Sequence, residues 1–323
     1  MFNALGVLAC RRLKTERVPF CPITVDIEPA TICNFRCGFC QAPTMHGRTP
    51  FLSYDDFCRI LDELPYVLRI KLQGMGEPLL NKDFFAMVAH ARRKGIYTTT
   101  ITNGSLLTQG NCQRLIESGL DKIYISIDGA TKETFETMRP GGDFHVVIEN
   151  VRRLAAMRIR KQPEVHLWVL CMRDNLDELP DIVRLGSDLG VDEVGLQYDL
   201  NFWGKEDYRS RFRDQLLTRD EPLKKIEEAV ATARRLGVAI RVFTGDRFTP
   251  GNDCSWPWTS AYFTADGYVI PCCSRADPEL FNAGRLTEKG DFKRIWNGDS
   301  YRALRRSIRT HHLWDYCTDC YLD

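Results

Sequence analysis

Nothing in the 323-residue chain approaches the ~20 consecutive apolar residues that a membrane-spanning helix needs, so no membrane role is expected. A charge excess of either sign is missing as well. Lys and Arg total 44 against 43 Asp and Glu, a net charge of +1 that offers no field to hold a polyanion, and no nucleic-acid partner is expected. The apolar start, Met1 to Cys10, carries Arg11, Arg12 and Lys14 after it, the reverse of a secretory signal, so the chain reads as cytoplasmic. Low-complexity segments are absent, and 44% hydrophobic with 27% charged residues is the composition of a folded protein. What is plentiful is cysteine. Thirteen thiols in a reducing compartment point to metal ligation or redox chemistry more than to disulfides.

The first two thirds of the chain alternate strand and helix patterns. Strands are expected at Ile23 to Glu28, Val67 to Gln73, Tyr97 to Asn103, Lys122 to Asp128, Glu164 to Met172 and Glu193 to Asn201. Helices are expected at Tyr54 to Leu64, Lys82 to Lys94, Cys112 to Ser118, Val146 to Met157, Leu179 to Leu189 and Leu223 to Leu236. Gly95, Gly119, Gly190 and Gly237 stand where helices should stop. Six βα units imply a parallel sheet with helical crossovers.

Several strands alternate an aliphatic with a polar face: Ile123, Ile125 and Ile127 oppose Tyr124, Ser126 and Asp128, and Ile23, Val25 and Ile27 oppose Thr24, Asp26 and Glu28. Leu68, Ile70 and Leu72 likewise oppose Arg69, Lys71 and Gln73, and Leu196, Tyr198 and Leu200 oppose Gln197, Asp199 and Asn201. A doubly wound sheet should be apolar on both faces, so the alternation favours an α/β fold with a partial (β/α)6 TIM-like barrel whose lumen is wet. Asp26, Glu28, Arg69 and Lys71 have a second reading, as salt bridges that plug the barrel floor. Past Phe243 the alternation ends, and Ala261 to Cys273 reads as a hairpin turning at Asp266-Gly267. The domains are therefore placed at 1–243 and 244–323, the second a small cysteine-rich α+β domain. Phe202 to Asp220 is a charged stretch that reads as a solvated insertion or a lid.

Directly after the first strand come Cys33, Cys37 and Cys40, separated by three and then two residues. Thiolates this close select zinc or an iron–sulfur cluster. A closed zinc site wants a fourth local ligand, and the nearest histidine, His46, is poorly spaced. The Cys-x3-Cys-x2-Cys loop with Phe39 before its third cysteine resembles the signature of the radical S-adenosylmethionine (SAM) superfamily. Gly74-Met75-Gly76-Glu77-Pro78 resembles the family's Gly-Gly-Glu-Pro segment, with Met75 as a departure, and the resemblance implies that its backbone receives the amino group of SAM. Thr102-Asn103-Gly104 and Ser126-Ile127-Asp128-Gly129 match further motifs in order, and the latter implies a hydroxyl and a carboxylate for the ribose. By the same resemblance Cys33, Cys37 and Cys40 hold a [4Fe-4S] cluster that gives an electron to SAM, and the resulting 5′-deoxyadenosyl radical removes a hydrogen atom from substrate. An external electron donor such as flavodoxin or ferredoxin is implied.

Cys254, the Gly267-x4-Cys272 spacing and Cys317-x2-Cys320 resemble the family's C-terminal SPASM extension. A full extension has seven cysteines; this quartet suffices for one auxiliary [4Fe-4S] cluster, the shortened arrangement called a twitch domain. Cys273 competes with Cys272 as ligand, and structural zinc remains open for the quartet. Of the other thiols, Cys171 shares the aliphatic face of its strand with Val165, Leu167 and Val169, Cys58 and Cys112 sit on helices, and all three read as packing residues. His166 is a candidate substrate contact or a packing residue.

Two substrate classes fit. The polar lumen, the short segment before Cys33 and the single auxiliary cluster, an arrangement found in an aminocyclitol-oxidising dehydrogenase, favour a polar small molecule such as a sugar or cyclitol. The alternative is a ribosomally made peptide or protein.

Overall fold

The computed structural model describes residues 2–42, 47–197, 210–217, 223–243, 254–273, 276–314 and 317. Along the chain the order is α1 (Phe2–Arg12), β1 (Thr24–Ile27), α2 (Tyr54–Asp62), β2 (Arg69–Leu72), α3 (Phe84–Arg93), β3 (Tyr97–Thr102), α4 (Gln109–Ser118), β4 (Lys122–Ser126), α5 (Lys132–Met138), α6 (Phe144–Met157), β5 (Glu164–Leu170), α7 (Leu179–Leu189), β6 (Glu193–Gln197), α8 (Leu223–Leu236) and β7 (Ala239–Phe243). The C-terminal part adds α9 (Trp256–Thr259), β8 (Ser260–Phe263), β9 (Tyr268–Ile270), β10 (Gly284–Arg285), α10 (Asp291–Trp296) and α11 (Asp299–Arg309). This is the expected α/β alternation, followed by the expected small α+β part. Oxygens of Ser53, Thr108, Thr131 and Asp143 accept from the third backbone N–H beyond them and so start α2, α4, α5 and α6.

Two compact units emerge, Met1–Thr31 with Gly47–Thr98 and Asp246–Asp323, and Ile32–His46 with Thr99–Gly245. In the first, the strands run β10-β9-β8-β1-β2; β8 and β2 are parallel to β1, while β9 is antiparallel to β8, as the Asp266-Gly267 turn requires. In the second, β4 lies between β3 and β5, β6 follows β5 and β7 follows β6, all parallel.

The aliphatic faces are buried as expected: Val25, Ile27, Ile70, Leu72, Ile123, Ile125 and Ile127 are all fully inaccessible. Leu68 departs from this, standing exposed just before β2 begins. The ion-pair pattern also differs from the expected one. Glu28, fully buried, pairs with Arg48 at 2.8 Å, a residue on neither strand, and also accepts backbone N–H groups from Met75 (3.3 Å) and Ala265 (3.2 Å). Arg48 reaches on to Asp266 at 2.8 Å. Arg69 instead stands over the Tyr97 ring, 5.1 Å from its centroid, and Asp26 is buried against the Gln73 amide at 3.4 Å. Glu28 is thus paired internally while Asp26 keeps one buried oxygen unpartnered among the described residues, and burial raises both above the ordinary carboxylate range.

Before residue 244, three elements were not expected. Helix α1 has an apolar run without clear periodicity, α5 is too short to show one, and β7 is a five-residue strand following α8. Of the charged stretch 202–220, only residues 210–217 are described, and Tyr198, Asp199, Leu200 and Asn201 lie outside the described residues.

Candidate functional site

The cysteine loop and three of its candidate companions fall within the second unit. Backbone N–H groups of Phe35 and Ala42 point at the Cys33 and Cys40 sulfurs, each at 3.4 Å, and the Asn103 amide donates to Cys33 at 3.7 Å. Asn103 is held by its neighbours: it donates to Asn34 Oδ1 at 2.9 Å and accepts from the Ser105 N–H at 2.9 Å and hydroxyl at 2.6 Å. The Arg36 N–H donates to the Pro140 carbonyl at 2.8 Å. Gly141, at φ 94°, backs the loop, and a Cβ there would lie 3.2 Å from the Asn34 carbonyl oxygen. A side chain there would be strained in conformation and tight in space.

The residue that sequence reasoning missed is Arg139. Its guanidinium lies 2.6 Å from Asp128, 4.0 Å from the Cys37 sulfur, and with its carbon 5.7 Å from the Phe39 ring centroid. Asp128 is fully buried, and its other oxygen accepts the Leu170 N–H at 2.8 Å. Asn175 fixes this turn by donating to the carbonyls of Asp128 and Leu170 at 2.9 and 2.8 Å. Thr131 and Glu178 hold the start of α5, with Glu178 accepting the Ala130 N–H at 2.6 Å, and the helix delivers Arg139 just past its end. Phe39 packs on Met138, Leu170, Met172 and Phe212, an apolar cover beside the cysteine loop. Ser126, buried, ends β4.

All three sulfurs thus meet a donor, which is the environment an anionic thiolate ligand needs. As free thiols two of them are held neutral: burial pushes Cys37 up to about 12 although Arg139 opposes this, and burial raises Cys40 as well. Metal binding must then release their protons. Among the described residues no three Cys, His, Asp or Glu side chains converge as one metal ion requires. Three adjacent, donor-equipped thiols fit the corners of a polynuclear cluster, and His46 lies outside the described residues.

Gly74, Met75, Gly76 and Glu77 belong to the first unit. A Cβ on Gly74 would lie 2.4 Å from Glu28 Cγ, so glycine is required there by the buried carboxylate. The Gly76 N–H donates to the Ala30 carbonyl at 3.1 Å, and the buried Glu77 carboxylate caps the following turn by accepting the Leu79 N–H at 3.1 Å. The same unit holds Cys254, Cys272, Cys273 and Cys317. Burial raises the Cys254 thiol, and the charges of Cys272, Cys317 and Cys273 add to this, so those three lie within electrostatic reach of Cys254. Cys320 lies outside the described residues.

Cys171, Cys112 and Cys58 are packing residues, as expected. Cys171 is 2% exposed and its thiol is raised by burial; Cys112 is inaccessible, its thiol donating to the Leu107 carbonyl at 3.3 Å, and Cys58 lies against His90 Nδ1 at 3.5 Å. His166 is bound on both nitrogens, to Glu193 at 3.1 Å and Glu164 at 3.2 Å, which identifies it as a satisfied packing residue. Cys171→Ala should therefore leave turnover intact and cost about 1 kcal/mol. Thermal unfolding alongside product formation checks this, and a folded variant that cleaves SAM but forms no product would make Cys171 a hydrogen-atom donor.

Residues 27–186 match the family model of the radical SAM superfamily, and residues 254–321 match that of an iron–sulfur cluster-binding domain. Over 310 residues the chain is 29% identical to the PqqA peptide cyclase of Ruegeria pomeroyi, covering 93% of this chain and 79% of that protein. It is 27% identical over 307 residues to the PqqA peptide cyclase of Bradyrhizobium diazoefficiens, covering 93% and 78%. The crystal structure of Streptococcus suis SuiB bound to its precursor peptide SuiA shares the fold, with a TM-score of 0.69 at 14% identity, covering 94% of this chain and 71% of that one. Among the described residues no helix is long and apolar enough to cross a membrane.

Proposed function

Starting from a chain that is a radical SAM enzyme with a C-terminal iron–sulfur domain, we propose that it modifies a ribosomally made peptide. The observation that carries this reading is its 27–29% identity, across 93% of its length, to enzymes named peptide cyclases. They overturn the expectation of a sugar or cyclitol substrate. That expectation leaned on polar strand faces, and Asp26 and Glu28 are now seen to be buried and internally bonded.

In this proposal Cys33, Cys37 and Cys40 hold the cluster that meets SAM, and Cys254, Cys272, Cys317 and Cys320 hold the auxiliary one. When bound, the first cluster and SAM supply one-electron chemistry able to remove a hydrogen atom from an unactivated carbon. The chain's own residues position and exclude. Phe39 and its apolar neighbours keep water from the cysteine loop, while Arg139 compensates negative charge at Cys37 and opposes the rise that burial imposes on the Asp128 carboxyl. The backbone of Gly74, Met75, Gly76 and Glu77 and the side chains of Asn103, Ser126 and Asp128 are the proposed SAM contacts. A soluble donor such as flavodoxin or ferredoxin supplies the electron, in the cytoplasm.

The test is anaerobically reconstituted protein with reductant and SAM, fed peptide and metabolite fractions separately. Peptide fractions should raise 5′-deoxyadenosine above the uncoupled background. A response confined to the metabolite fractions refutes the reading.

A further inference from the structure

The parallel ladder between β1 and β2 stops at the Gly74 segment, and a side chain takes the place of the next rung. The Gln73 N–H still donates to the Ile27 carbonyl at 3.1 Å. In a regular parallel ladder Pro29 would then donate to Gln73 and accept from Met75. Pro29 has no N–H to give, and its carbonyl already accepts from the Leu52 N–H at 3.1 Å and the Asn81 amide at 2.8 Å. The Met75 N–H turns instead to Glu28 Oε1 at 3.3 Å, and the Gly76 N–H reaches the Ala30 carbonyl at 3.1 Å.

Glu28 is itself gripped from behind. Its Oε2 accepts from Arg48 Nη2 at 2.8 Å and from the Ala265 N–H at 3.2 Å, and Arg48 in turn donates to both oxygens of Asp266, at 2.8 and 3.3 Å. Ala265 and Asp266 lie in the turn between β8 and β9. The first hairpin of the C-terminal part therefore braces residues 74–76 through one fully buried carboxylate. What the brace leaves open are acceptors. Met75 is buried, the glycines on either side of it are half-buried, and among the described residues no donor reaches the carbonyl of Gly74 or Gly76. Two such carbonyls, two residues apart, suit an ammonium group, which only donates.

We infer that Glu28, held by Arg48 and the Asp266 turn, is a positioning residue for SAM, fixing the backbone of residues 74–76 with the Gly74 and Gly76 carbonyls open to the amino group. The inference rests on the proposed reading of this segment as a SAM contact. It adds that the C-terminal hairpin serves SAM binding independently of the cysteines around it.

The experiment is Glu28→Gln, compared with wild type after anaerobic reconstitution. Both carboxylate oxygens accept, so the glutamine must turn its NH2 on a donor whichever way it lies. SAM affinity, read by equilibrium dialysis, should fall about tenfold or more at equal iron content, with the loss expressed in the KM for SAM more than in the maximal cleavage rate. Arg48→Lys, which keeps the charge but cannot fork between Glu28 and Asp266, should weaken SAM binding in the same direction. Unchanged affinity in a folded Glu28→Gln protein overturns the inference. Should neither variant fold, the wild type decides: without SAM its Met75 amide should exchange slowly with deuterated solvent, and rapid exchange would show that Glu28 does not hold the segment. Adding SAM should slow exchange across residues 74–77 further. If it does not, the segment is no SAM contact and the inference falls with that reading, whereas protection by SAM together with unchanged affinity in the variant strikes at Glu28 alone.

Discussion

Replacing Cys33, Cys37 and Cys40 together by alanine should remove about half of the bound iron and abolish reductive SAM cleavage. The three sulfurs are held side by side and each faces a donor: Phe35 N–H and Asn103 for Cys33, Arg139 for Cys37, Ala42 N–H for Cys40. No other described residues offer a comparable set in that unit, since Cys112 and Cys171 are buried singly against backbone or apolar neighbours. Loss of all three thiols therefore leaves nothing to hold the irons. The loop's outer contacts do not involve the sulfurs. Arg36 to Pro140, Asn34 to Ser105 and the close approach of Gly141 to Asn34 survive the substitution, so the protein should still fold and keep its auxiliary iron. Iron and 5′-deoxyadenosine assays read the result, and a triple variant with full iron or undiminished cleavage would refute the assignment.

Alanine at Cys317 and Cys320 should have a different outcome: product formation lost, uncoupled SAM cleavage retained. Cys317 is among the thiols that raise buried Cys254, so it belongs to a separate group of sulfurs, and Cys320 is placed with it by the sequence spacing. The site should lose its cluster, while the Cys33 loop, in the other compact unit, keeps its own ligands and donors. The C-terminal part has other anchors that should preserve the fold. Trp258 and Trp296 donate to the carbonyls of Thr15 and Phe20 at 2.8 and 3.0 Å, and Asn297 accepts the Val18 N–H at 2.8 Å. Product mass spectrometry beside a SAM-cleavage assay separates the two activities. A double variant that still makes product would show the auxiliary site to be dispensable for chemistry.

Much of this was legible in the sequence because it is local. The Cys33-x3-Cys37-x2-Cys40 spacing, the Asp266-Gly267 hairpin and the alternation of Ile123, Ile125 and Ile127 are each written within a few residues, and each is where the sequence puts it. Arg139 was not legible. It meets Asp128 and Cys37 only because Thr131 and Glu178 start a short helix that ends beside them, and no periodicity marks a seven-residue element. Glu28 misled for a related reason. Alternation says which face a side chain takes, but not whether that face is wet, and the partner that keeps Glu28 dry, Arg48, comes from a loop. Gly74 looks like part of a ligand loop in sequence, while its neighbour in space is the Glu28 side chain. The substrate class was misread through the same polarity.

The most direct measurement uses the source of the hydrogen atom. A culture grown on perdeuterated amino acids yields deuterated peptides, which are separated from the sugar and cyclitol fraction of a second culture grown on deuterated carbohydrate. Each fraction is then incubated anaerobically with the reconstituted enzyme, reductant and SAM, and the 5′-deoxyadenosine is weighed by mass spectrometry. Deuterium should enter 5′-deoxyadenosine from the peptide fraction, with a matching mass change in one peptide; deuterium arriving only from the carbohydrate fraction would contradict a peptide substrate.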